Sequence, residues 1–237
     1  FVLRLARRLC ERLAAMALPE ACPGCGAAGA GLCRACDQDL VRRGEPPCPR
    51  CGEPTLAAGV ECPSDHRELR RLRWHAAPWR YAGAGGALVR RFKLDGDAGA
   101  GRFVARAMAD ALRAQAPWPW PGMVVVPVPL HRARLRQRGF DQAAWLARRI
   151  AARIGAPCAV GALARGRATL PQGDPRVGSR EANVDGVFAV RRPRAVRLRH
   201  VVLVDDVFTS GATARECARV LLRAGARSVA ALTACRS

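Results

Sequence analysis

The sequence predicts an α/β protein, a parallel sheet flanked by helices, with a small cysteine-rich module in front of it. Three observations carry this prediction. Short apolar runs such as VVLVDDV (201–207) alternate with helical patterns such as DQAAWLARRIAARIG (141–155), the order of strand–helix–strand units. Seven of the eleven cysteines fall within residues 19–66, mostly in closely spaced pairs. Few long apolar residues accompany them, so that stretch cannot build a core unaided and needs staples. The expected organisation is an amphipathic helix over 1–18, a cysteine-rich zinc-binding module over 19–73 and an α/β domain over 74–237.

Each element has its own signal. In FVLRLARRLCERLAAMALPE (1–20), Arg4, Arg7, Arg8, Glu11 and Arg12 interrupt the apolar residues. That pattern reads as a short amphipathic helix ending at Pro19 rather than a targeting segment. GAGGALVRRF (83–92) and AGRFVARAMADALRAQ (100–115) space Ala, Leu, Val and Phe as helices do. MVVVPVPL (123–130) is a buried-strand run ended by prolines. Asp141 stands at a cap position for the helix that follows it, and Gly155 just past its end. CAVGAL (158–163) and VFAV (187–190) are expected strands. TARECARVLLRAG (213–225) is a helix closed by Gly225, and SVAALTA (228–234) is the last strand. No run of about 18 uncharged apolar residues occurs, so no membrane span is expected.

The chain has 40 basic residues against 19 acidic ones, a formal net charge of +21, and Lys93 is the only lysine. A G+C-rich coding sequence explains arginine in place of lysine, but not the excess of bases over acids. An anionic macromolecular partner fits that excess. With one Tyr and six Phe, any platform for stacking bases would rest on few side chains.

The most informative stretch is VVLVDDVFTSGAT (201–213). Val201–Val204 form a strand buried on both faces, and Asp205 and Asp206 follow at its carboxyl end, where open α/β sheets bind ligands. Thr209, Ser210, Gly211, Ala212 and Thr213 then make a loop of small residues that opens a helix. Such a loop presents free backbone N–H groups and the positive end of the helix dipole, which together receive a phosphate. Gly211 lets the backbone approach closely, and the hydroxyls add donors. The acid pair would repel phosphate but suits ribose hydroxyls, or a hydrated Mg²⁺ beside them. A ribose 5-phosphate meets both demands.

Cys22 and Cys25, in CPGCG, form a knuckle that places two sulfurs on one metal, and Cys33 and Cys36 repeat the spacing. C-x2-C-x7-C-x2-C matches a four-thiolate Zn²⁺ site. A second knuckle, Cys48 and Cys51, is followed by Cys62, with Asp65 and His66 available to complete a second site. Pairing could also cross, joining the Cys22 and Cys48 knuckles on one ion. A disulfide framework would need an oxidising compartment, which no secretion signal supports. Cys10, Cys158, Cys217 and Cys235 lie in apolar periodic segments and read as core residues.

VVLVDDVFTSGAT resembles the phosphoribosyl pyrophosphate (PRPP) motif of type I phosphoribosyltransferases. With YAGAGGALVRRFKLDGD (81–97), VPVPLHRARLRQRGFDQAAWLA (126–147), RATLPQGDPRVGSREANVDGVF (167–188) and the leading cysteine pairs, nearly the whole chain resembles the ComF family of bacterial proteins, linked to DNA uptake in competence. The resemblance implies a type I phosphoribosyltransferase-like domain over 74–237. Asp205 and Asp206 would face the ribose hydroxyls and Mg²⁺, and Thr209–Thr213 would hold the 5-phosphate. Pro129, Leu130 and His131 lie where that fold places its pyrophosphate loop. Arg138, Gly139, Phe140 and Gln142 match an RGF-x-Q pattern, with Asp141 where the family usually has Asn. Thr169, Gln172, Arg180 and Asn183 match T-x-x-Q and R-x-x-N positions in a stretch suited to a flap. Lys93 matches an F-K pair, and a retained lysine hints at a need for a compact point charge. The implied protein is cytoplasmic, with structural Zn²⁺ and Mg²⁺ with PRPP. Single-stranded DNA and other DNA-uptake proteins are its implied partners. An active phosphoribosyltransferase is the alternative, with Asp205, Asp206 and Lys93 as the catalytic candidates.

Overall fold

A strand covered on both faces can bury four consecutive apolar residues, and Val201–Val204 occupy the middle of such a sheet. The computed structural model describes residues 21–29, 31–40, 48, 70–115, 122–166 and 186–237. The predicted helix over 1–18 lies outside the described residues, as do Cys51, Cys62, Asp65, His66, Thr169, Gln172, Arg180 and Asn183.

In chain order the described elements are α1 (Arg34–Asp39), β1 (His75–Ala76), β2 (Trp79–Arg80), α2 (Gly83–Leu94), α3 (Ala98–Gln115), β3 (Met123–Pro127), α4 (Arg132–Arg138), α5 (Gln142–Ile154), β4 (Leu163–Arg165), β5 (Phe188–Val190), a 3₁₀ turn (Pro193–Ala195), β6 (His200–Phe208), α6 (Ala212–Arg223) and β7 (Ser228–Arg236). The main sheet runs β1-β7-β6-β3, with β2 also on β7, and every pairing is parallel. β4 and β5 form a separate antiparallel pair.

Strand alternation sends side chains to two cores. Val125, Val202, Val204, Ala230 and Leu232 pack with Leu88, Met108, Leu146 and Ile150 of α2, α3 and α5. The intervening Val124, Val126, Val201, Leu203, Val229 and Ala231 pack with Phe188 and with Cys217 and Leu221 of α6. The parallel sheet is thus covered on both faces, and the cysteine-rich segment adds Cys22, Cys36 and Leu40 to the first core.

Asp141 caps α5, its Oδ1 accepting from Ala144 N at 2.9 Å, and left-handed Gly155 ends the helix. Two expectations change, and two short strands were not predicted. The strand predicted over 123–130 stops at Pro127, because after one further bond, from Val128 N to Val204 O, the chain turns away from β6. CAVGAL contributes only a bridge from Cys158 to Val125 before β4 begins at Leu163. The short strands β1 and β2 left no periodic signal, since two residues cannot show alternation.

Candidate functional site

β3 pairs with β6 only as far as Pro127 opposite Val204, after which Val128 N donates to Val204 O at 2.9 Å and the chain departs. β6 continues beside β7, with Asp205 opposite Thr233, Val207 opposite Cys235 and Phe208 opposite Arg236. The acids therefore lie within the strand rather than after it, a correction to the sequence expectation that follows from the length of β7. They sit just past the point where β3 leaves, the kind of crevice where α/β sheets take ligands.

Asp205 Oδ1 accepts from Asp206 N at 2.9 Å, and Asp206 Oδ1 accepts from Val207 N at 3.0 Å. Asp206 is buried, and its Oδ2 forms an ion pair with Lys93 Nζ from the last turn of α2. Burial pushes the Asp206 carboxyl up, but the charge and hydrogen bond of Lys93 outweigh that and hold it below the usual carboxylate range. Asp205 is pushed well above that range by burial and then by the negative charge of Asp206. The two shifts run in opposite directions, so of the pair Asp205 takes a proton first and Asp206, against Lys93, last.

Beyond Phe208 the loop reaches Gly211 at φ 78°, a left-handed conformation that glycine adopts without a Cβ clash. α6 starts at the next residue with no acid in its first turn, so its free N–H groups and dipole face the loop. Ser210 Oγ accepts from Ala212 N at 3.4 Å. Two arginines absent from the sequence-derived site hold the loop's carbonyls. Arg236 Nη1 donates to Thr209 O at 2.6 Å, and Arg215 Nη1 to Ser210 O at 3.3 Å. Arg236 is placed there by its register opposite Phe208, which no local motif reveals.

Pro129, Leu130 and His131 are half-buried where β3 departs. His131 caps α4, its Nδ1 accepting from Ala133 N at 3.2 Å. Arg138 ends that helix, and its buried Nη1 has no hydrogen-bond partner among the described residues; the same holds for Gln142 Oε1. Phe140 meets Phe92, the neighbour of Lys93, edge-on at 5.5 Å, so part of the RGF-x-Q pattern packs against α2. Arg165 of β4 was also missed. Burial and then the charge of Arg134 lower its pKa, while Asp205 raises it, which puts Arg165 within electrostatic reach of Asp205. Glu216 of α6 accepts from Gly186 N at 3.0 Å and pairs with Arg219 at 2.6 Å.

The sulfurs of Cys22, Cys25, Cys33 and Cys36 all lie within 4.8 Å of one another. Cys33 N donates to Cys22 Sγ at 3.3 Å, and Cys36 N to Cys33 Sγ at 3.5 Å. Burial pushes the Cys22 thiol up, but backbone N–H groups of Cys33, Cys25 and Gly24 overcome it and bring it down to about 6. Burial and the neighbouring sulfurs push Cys36 up instead, because four thiols this close cannot all ionise without a cation. The donor set and its spacing fit Zn²⁺. The knuckle rests on α2: Arg91 Nη1 donates to Cys22 O at 3.0 Å while its Nη2 bonds Asp97 at 2.6 Å. Gly83 leaves room for Asp39, whose carbonyl oxygen would lie 2.5 Å from a Cβ there. Cys48 is buried in the second core. Cys158 is half-buried, and Cys217 and Cys235 are buried.

Residues 13–65 match the family model of the double zinc ribbon domain. That stretch of the chain is similar to a double zinc ribbon. Over 101 residues it is 36% identical to the DNA utilization protein YhgH of Salmonella typhi, covering 43% of this chain and 44% of that one. The same figures hold for YhgH of Escherichia coli K12. The matched region thus spans less than half the length of these curated relatives. Both matches agree with the ComF-like resemblance of the motifs, and the four-cysteine cluster lies inside the zinc-ribbon match, which supports structural zinc. Similar solved structures include the allosteric regulatory enzyme of purine biosynthesis, at 24% identity over 56% of this chain and 25% of that one, with a TM-score of 0.37. Adenine phosphoribosyltransferase from Leishmania tarentolae is 16% identical over 72% of this chain and 73% of that one, also at 0.37. Among the described residues no helix is long and apolar enough to cross a membrane.

Proposed function

We propose that this double zinc ribbon protein is a ComF-like, cytoplasmic PRPP-binding protein that acts in DNA uptake and binds single-stranded DNA. The observation that carries the ligand assignment is one continuous arrangement. Asp205 and the buried Asp206 sit on β6 where β3 departs, Asp206 paired with Lys93 of α2, and β6 runs directly into a small-residue loop that opens α6. Thr209–Thr213 would take the 5-phosphate on the free N–H groups of the α6 terminus. Asp205 and Asp206 would hold the ribose hydroxyls and Mg²⁺, with Lys93 keeping Asp206 ionised. Mg²⁺, when bound, supplies positive charge to the pyrophosphate oxygens. Pro129, Leu130, His131 and Arg138 stand where the pyrophosphate would lie, and Thr169, Gln172, Arg180 and Asn183 would close over it. The DNA role is supported by the net charge of +21 and by relatives named for DNA utilization.

An active phosphoribosyltransferase, moving the phosphoribosyl group to a nitrogen acceptor with release of pyrophosphate, is favoured by one feature. Burial and its acidic neighbour push the Asp205 carboxyl up while Lys93 holds the Asp206 carboxyl down, opposed shifts that suit a proton donor beside an acceptor. Titration calorimetry with PRPP and Mg²⁺, beside ribose 5-phosphate, tests the ligand. Binding that needs the pyrophosphate supports the assignment, and no binding refutes it. Pyrophosphate release with a panel of bases or ammonia then separates enzyme from binding protein.

A further inference from the structure

The acid pair lies toward the carboxyl end of the strands, and the opposite end has the reverse character. Met123, His200 and Ser228, at the starts of β3, β6 and β7, stand in one row. Four arginines converge around that row. Arg73 N donates to Val229 O at 2.8 Å, Arg227 N to Arg199 O at 2.9 Å, and the Arg197 side chain lies over Gly225. Arg70 and Arg71 immediately precede Arg73, and all six side chains are exposed. The four segments that meet here, 70–80, 122–130, 186–204 and 224–237, hold no Asp or Glu below Asp205 on β6. The crowding is close enough that burial, then Arg227 and Arg73, lower the pKa of His200.

One apolar residue stands among these charges. Leu198, between Arg197 and Arg199, is 68% exposed and has φ 58°, the only positive φ of a non-glycine among the described residues. Its N–H donates to Gly225 O at 2.8 Å, which fixes the turn. A bulky side chain in that conformation is strained, and here it gains no burial in return.

We infer that this arginine-rich amino end of the sheet is the docking surface for the phosphodiester backbone of a single-stranded nucleic acid, with Leu198 touching its bases. The inference rests on the proposed DNA role and assigns it a face. Guanidinium forks match phosphate oxygens two at a time, and an apolar tip reaches base faces only in an unstacked strand. A lipid surface would call for an apolar face to insert, and Leu198 is the only exposed large apolar side chain within these segments. The surface lies at the end of the strands opposite Asp205 and Asp206, so nucleic acid and phosphoribosyl ligand could be held together.

The test is fluorescence anisotropy of an oligothymidylate of about 20 nucleotides across a salt series, with the full chain. Reversing Arg197, Arg199 and Arg227 to Glu is expected to weaken binding by at least about tenfold and to flatten the log–log salt slope by about 2. A matched reversal of the exposed Arg102, Arg106 and Arg148, on α3 and α5, controls for net charge and should do much less. Leu198→Gly removes the apolar tip and the strain together, so the melting temperature should hold or rise while affinity falls. Wild-type binding that both triple variants weaken equally, or that neither weakens, overturns the assigned face but leaves DNA binding standing. No wild-type binding overturns the DNA role itself. Binding to phosphatidylserine vesicles but not to the oligonucleotide would make the surface a lipid contact and overturn the proposal.

Discussion

Replacing Lys93 with Met tests whether the lysine from α2 is what keeps Asp206 ionised. The Lys93 side chain is 31% exposed and that of Asp206 9%. Removing one partner of a buried pair costs about 3–5 kcal/mol, because the other charge is left uncompensated. Partial exposure of Lys93 places the loss near the lower figure, about 3 kcal/mol. For a chain of this length that lowers the melting temperature by roughly 6–12 °C. The pH dependence follows from the direction of the shift. Asp206 is held below its ordinary value of 3.8 in the folded state, so its pairing stabilises the protein fully above that value and is lost as pH falls through the folded one. In the variant, burial pushes Asp206 up with no lysine charge to oppose it, so it takes a proton earlier and escapes the penalty. Differential scanning calorimetry between about pH 8 and about pH 4 should show the widest gap at neutral pH and a narrowing gap on acidification. Lys93→Arg should recover part of the loss. A gap under about 1 kcal/mol at neutral pH, or one that widens with acid, would refute the account.

Asp205→Asn with Asp206→Asn should weaken PRPP binding at least about tenfold, or about 1.4 kcal/mol, while the near-ultraviolet circular dichroism is retained; unchanged affinity by calorimetry would count against the assignment. Arg236→Ala removes this donor from Thr209 O and should cost ribose 5-phosphate several-fold in affinity, with Arg236→Lys recovering part of it; a lowered melting temperature with no change in affinity would mean that the contact is structural only. Cys25→Ser with Cys36→Ser should remove one equivalent of zinc by atomic emission and destabilise the knuckle, since binding energy at such sites is folding energy; retained zinc stoichiometry would exclude the four-thiolate site. Asp141→Ala should cost about 1 kcal/mol through loss of the α5 cap, visible as a shift in denaturant midpoint without a change in slope.

Much of the architecture was legible because its signals are local. The apolar run at Val201–Val204, the cap and stop of α5 at Asp141 and Gly155, and the C-x-x-C spacing each act within a few residues, where backbone sterics and side-chain chemistry alone decide. The same holds for Gly211, whose left-handed turn opens α6. Less legible were α4, whose seven residues include four arginines and no buried side chain, and the edge strands β1 and β2. A short exposed helix is fixed by its ends, here His131 and Gly139, rather than by periodicity.

The sequence by itself determined the alternation of strands and helices, the four-sulfur knuckle and the acid pair beside a small-residue loop, because each is written in adjacent residues. Tertiary structure alone decided that Lys93 pairs with Asp206, that Arg236 and Arg215 hold the loop carbonyls, and that Arg73, Arg199 and Arg227 meet at the other end of the sheet. Those partners lie far apart in the chain and are joined by parallel register and helix packing. A guanidinium carries no mark of the carbonyl or phosphate it will face until the backbone has set the distance between them.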